Sequence, residues 1–172
     1  MNEIANPTET FVYYLARLQG LIEKIERLCG GDANILNANL HENMLPFTNQ
    51  VTTTANFALR ACCPLAGREI VSFQQNQSSF AALIQCITDT IAYLTAIPLT
   101  EFDRPITETY REQAGFTEVA LPREKFLQQY IFPNFCFHLS MVYAIARSRG
   151  IPLSKQDYDG YHQYPEGFSF VK

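Results

Sequence analysis

Four stretches of this chain carry apolar residues at steps of three and four, a spacing that only a helix gathers onto one side. The first runs from about Pro7 to Leu28 and lines up Phe11, Tyr14, Leu15, Leu18, Leu21, Ile22, Ile25 and Leu28. Asn6 can cap it, Pro7 suits the first helical position, Glu9 stands where a capping box wants it, and Gly30 follows as a stop. The second, Leu45 to Cys63, is opened by Pro46 and closed before Pro64, with Phe47, Val51, Ala55, Ala58 and Cys62 in one stripe. The third, Ser79 to Ala96, has Ser78 or Ser79 as its cap and Phe80, Leu83, Ile84, Ile87, Ile91 and Leu94 on one face. The fourth begins near Pro122, meets Pro133, and continues through Tyr143 and Ile145 to Gly150. Pro133 removes one backbone bond, so a kink or two abutting helices is expected there.

Four such stripes are all hidden by one arrangement, a helical bundle. The chain of 172 residues suits one domain, 1–172, and its 47% hydrophobic residues supply a core, which excludes disorder. Between helices three and four, Ile106 to Tyr110 and Phe116 to Leu121 flank Gly115 and can form a small hairpin. The segment from Pro64 to Gln77, extended to about 45 Å, can cross the bundle and leave helices two and three parallel. A short first loop suggests antiparallel neighbours, and the tail from Ile151 to Lys172 reads as irregular, with Asp159-Gly160 as a turn.

Thirteen Lys and Arg against seventeen Asp and Glu give a net charge of −4 with no basic run, so nucleic acid is not an expected partner. No apolar run is long enough to span a membrane, and the N-terminus lacks a basic-then-apolar leader pattern, so a cytoplasmic location is expected. The five cysteines, 29, 62, 63, 86 and 136, show no Cys-x-x-Cys spacing and are expected to be reduced and mainly buried. Cys136 and His138, two apart on a helix, point in different directions and make no nucleophile–base dyad.

Phosphate-binding loops, dinucleotide fingerprints and a Gly-x-Ser-x-Gly elbow are all lacking. Glu9, Arg17, Glu23 and Glu26 read as the solvated side of helix one. What remains is Pro133-Asn134-Phe135-Cys136-Phe137-His138, which sets an asparagine and a histidine one turn apart on an otherwise apolar helix. In a functional reading Asn134, His138 and Gln50 hold a small polar ligand between helices. In a structural reading Asn134 caps backbone freed by Pro133, while a neighbouring carbonyl or the Gln50 amide satisfies His138.

The segment from Pro133 to Gly150, with Ile151-Pro152-Leu153-Ser154-Lys155-Gln156-Asp157-Tyr158 behind it, resembles the signature of an uncharacterised bacterial family in the DinB/YfiT-like superfamily. Asn43-Met44-Leu45-Pro46-Phe47 with Gln50-Val51 resembles its second landmark. The resemblance implies an all-α, up-down-down-up four-helix bundle, often a homodimer. It also raises a metal question, because metal-binding members, some of them thiol-dependent transferases or isomerases, use one histidine from the second helix and two, at i and i+4, from the last.

Here only His138 falls on such a position, for Val142 stands four residues on and helix two has no histidine. A neutral amide at Gln50 is a poor replacement for imidazole. No metal and no cofactor is expected, His41 and His162 are expected in a loop and in the tail, and Asp157, Asp159 and Gly160 lack the spacing of a calcium loop. Two functions stay open: a non-catalytic bundle binding a small molecule or protein partner, and a thiol-dependent transferase-like or metal-dependent enzyme using His138.

Overall fold

The side chain of Asn6 accepts from the Thr8 amide at 3.1 Å and starts α1, Pro7–Leu28. The computed structural model describes residues 6–74, 79–105, 108–165, 167–169 and 171. Leu15, Leu18, Ile22 and Ile25 are fully buried along α1, but Leu28 is 43% exposed, because the chain turns away at Cys29 and the last turn leaves the core. The link to the next long helix is not short: it runs from Cys29 to Pro46 and holds a 3-10 turn, Ala33–Asn37, capped by Asp32.

Helix α2 spans Phe47–Leu65 with Pro46 as its N-cap. It starts and ends two residues later than the spacing suggests, since Pro46 serves as cap rather than first turn and Pro64 is accommodated in the last one. It packs against α3 (Phe80–Thr95), α1 and the last long helix, and is buried almost all round, Thr52 and Thr54 included. Thr54 meets that burial by donating to the Gln50 carbonyl at 2.8 Å, the usual answer for a buried hydroxyl. In α3 the buried face takes in Cys86 and Thr90, while Ile84 and Ile91 are only half-buried. Ser79 caps α3 by accepting from the Ala82 amide at 3.2 Å; Ser78 lies outside the described residues. Replacing Ser79 by Ala is expected to cost about 1 kcal/mol in denaturant unfolding.

Beyond the 3-10 turn Leu99–Phe102, strands β1 (Thr109–Ala114) and β2 (Thr117–Pro122) pair antiparallel with Ala114 opposite Thr117. Gly115 takes the positive φ of 61° needed at the first place of a two-residue hairpin turn. The hairpin is longer at its tip than expected and Phe116 sits in the turn; Ile106 and Thr107 lie outside the described residues. The fold is thus mostly helical with one small sheet.

Near Pro133 the helical run is divided into abutting segments, as expected, with Pro133 in the first turn of the last one. A single turn, α4 (Arg123–Lys125), widens into a π turn at Phe126–Ile131 and then into α5, Phe132–Ser148. The wide turn leaves room for a ring that donates no hydrogen bond. After Gly150 the tail is not wholly irregular, as a short helix α6, Lys155–Asp159, is set by a capping box between Ser154 and Asp157 and stopped by Gly160 at φ 76°. Arg17, expected in solvent, instead donates to the Gln156 and Asp157 carbonyls at 3.0 and 3.3 Å, tying α1 to α6.

Candidate functional site

Helix α2 carries Gln50 and α5 carries His138, and the contact between these two helices brings them together. Gln50 is 1% exposed, so both ends of its amide need partners. Its Nε2 donates to the Leu45 carbonyl at 3.1 Å, which turns Oε1 toward His138 Nδ1 at 2.7 Å. An oxygen acceptor at Nδ1 requires that nitrogen to hold the proton, leaving Nε2 with a bare lone pair in the neutral ring. Nε2 makes no hydrogen bond with any described residue.

Phe57, two turns along α2 from Gln50, stacks on the His138 ring at 5.5 Å and 19°, and Phe137 meets it edge-on at 5.2 Å. Burial, then the positive charge of Arg60, lowers the His138 pKa from its ordinary 6.5, so the ring is neutral at physiological pH. Asn134, one turn earlier on α5, donates through Nδ2 to the Tyr130 carbonyl in the π turn at 2.6 Å. Its Oδ1 is without a partner among the described residues.

Beside this pair stands a cluster that sequence reading missed. Arg60 pairs with Glu112 of β1 through Nε and donates to the Tyr130 hydroxyl at 3.0 Å, its guanidinium lying 4.2 Å over the Phe57 ring. The Glu112 side chain is 10% exposed, and its second oxygen, Oε2, is buried without a partner. Burial outweighs the Arg60 pairing and raises the Glu112 pKa, and burial raises that of Tyr130 too. The only signal in the sequence was a charged residue, Arg60, amid small and apolar neighbours in helix two; its partner lies on another element 52 positions away.

His41 and His162 have other partners. His41 is exposed against Asn43 at 2.7 Å, and His162 is held by Asp159 at 2.5 Å and stacks on Tyr164. Asp157 pairs with Lys24, and Asp159 accepts the Tyr161 and His162 amides. None of the five cysteines is in a disulfide, and burial raises the thiol pKa of Cys62 and of half-buried Cys136.

The donor set does not suit the divalent ion of the superfamily. Val142 is a fully buried aliphatic side chain, and both ends of the Gln50 amide are engaged within the protein. Among the described residues no three of His, Cys, Asp or Glu come together as a cation would require, and no helix is long and apolar enough to cross a membrane.

A solved structure, "Crystal structure of a dinb family member protein from shewanella denitrificans", superimposes with a TM-score of 0.81 over 94% of both chains at 23% identity. That likeness fixes the fold as DinB-like. No curated protein matches the chain. Residues 6–159 match the family described as Domain of unknown function (DUF1993), and the chain belongs to that family.

Proposed function

We propose that the face between α2 and α5 binds a small molecule carrying hydrogen-bond donors, received by His138 and Asn134 and steadied by Gln50. The observation that carries this reading is the pair of unfilled acceptors, His138 Nε2 and Asn134 Oδ1, one helical turn apart and so about 5–6 Å between their Cβ atoms. Gln50 acts through the ring: it fixes the Nδ1–H tautomer and leaves Nε2 as the acceptor. The exposed side chains of Leu45 and Phe137 offer apolar contact to the body of such a ligand.

A nitrogen NMR spectrum of the histidine rings tests the tautomer. His138 should show a protonated Nδ1, a bare Nε2 and a titration midpoint below 6.5. In a thermal-shift screen of small amides and amines, hits should be lost in His138→Ala and in Asn134→Ala. A protonated Nε2, or hits indifferent to both changes, would sink the reading.

A second reading, an enzyme using His138 as general base, is favoured by the same lowered pKa and bare Nε2, which suit proton abstraction from a bound donor. Metal analysis of protein purified without an affinity tag separates a metal-dependent version: stoichiometric zinc or nickel lost in His138→Ala would replace the first reading.

We infer further that α1, α2, α3 and α5 run up-down-down-up in one bundle and that the chain is a cytoplasmic homodimer. The DinB-like likeness and the contacts of α2 with both α3 and α5 support the helix order. Light scattering at twice the chain mass is the result expected for the dimer.

A further inference from the structure

Away from His138, the end of α5, the segment after Gly150 and the chain around Tyr164 form a cavity of about 810 Å³. Three cations line it, Lys24, Arg147 and Lys155, and no described lining residue is an acid. Lys24 is compensated by Asp157 at 2.7 Å. Arg147 gives one N–H to the Ile151 carbonyl at 3.2 Å, and the Lys155 ammonium lies 3.2 Å from His162 Nε2. Neither has a carboxylate partner among the described residues.

The walls between the cations are aromatic. Tyr143 rises from α5, and Tyr164 and Phe168 stack on each other at 5.0 Å and 9°. A guanidinium and an ammonium together match a doubly charged oxyanion, while aromatic walls suit a flat ring. A monocarboxylate would leave one of the two cations unmatched. We propose that this cavity binds a phosphate monoester carried on a planar apolar group, its phosphoryl oxygens on Arg147 and Lys155.

Calorimetric titration of the full chain with phenyl phosphate, benzoate and inorganic phosphate tests this. The expected result is one phenyl phosphate per chain, tighter than either benzoate or inorganic phosphate and weakened by added salt. Arg147→Gln and Lys155→Gln should each weaken it about tenfold or more, a loss of about 1.4 kcal/mol. Because both side chains are exposed, the variants should unfold at the wild-type midpoint. Phenyl phosphate affinity should be unchanged in His138→Ala, so that this proposal and the one at His138 stand or fall apart. The proposal is overturned if phenyl phosphate fails to bind, if benzoate or inorganic phosphate binds as tightly, or if both glutamine variants retain wild-type affinity.

Discussion

Replacing Leu18 or Ile87 by Ala lowers the free energy of unfolding by about 2–5 kcal/mol, the range for a large aliphatic side chain removed from a packed interior. Both residues are 0% exposed, Leu18 on α1 and Ile87 on α3, and these two helices face each other. Each truncation therefore removes contacts on both sides and leaves a hole that rigid helices close only in part. Leu28→Ala is the internal control, for at 43% exposure it should change little. Denaturant unfolding of the three variants decides the matter, and a loss of only a few tenths at Leu18 or Ile87 would mean that the apolar stripe faces elsewhere.

Arg60→Ala should cost about 3–5 kcal/mol at neutral pH, because it strands a charge that the fold has already taken out of water. Glu112 would then keep a buried carboxylate with neither oxygen paired, one being unpartnered even in the wild type. The pH dependence has a definite sign. Burial raises the folded pKa of Glu112 above its ordinary 4.5, so its contribution to stability is full below that value and is lost as pH rises through the folded pKa. Removing Arg60 raises the folded value further, and the deficit of Arg60→Ala should shrink as the solution is brought toward pH 4.5. Glu112→Gln removes the charge and should recover most of the loss when combined with Arg60→Ala. A small deficit, equal at both pH values, would show that water reaches Glu112.

The two cases differ in how much of each the chain announces. Leu18 and Ile87 were legible as core from spacing alone, since helical periodicity is a local property repeated over many residues. The same spacing misplaced Leu28, because a stripe tells which residues share a side and not how far the neighbouring helix reaches. At the candidate site, Gln50 and His138 could be singled out one by one. Their hydrogen bond spans 88 positions and exists only because α2 and α5 pack against each other. Arg60, Glu112 and Tyr130 come from a helix, a strand and a π turn, and no local pattern relates them. The short helix α6 is a different kind of omission, as its capping box, Ser154 to Asp157, is written in adjacent residues of a tail that otherwise reads as irregular.

By itself the sequence determined the number and approximate extent of the long helices, the hairpin at Gly115 and the single imidazole on the last long helix. All of these rest on interactions within a few residues, where propensity, capping and periodicity act. Only the tertiary structure decided that α2 is buried almost all round, that Arg60 pairs with Glu112 and that Gln50 holds His138 with its Nε2 bare. Burial and charge pairing depend on which surfaces meet, and that is settled by packing among elements far apart in the chain.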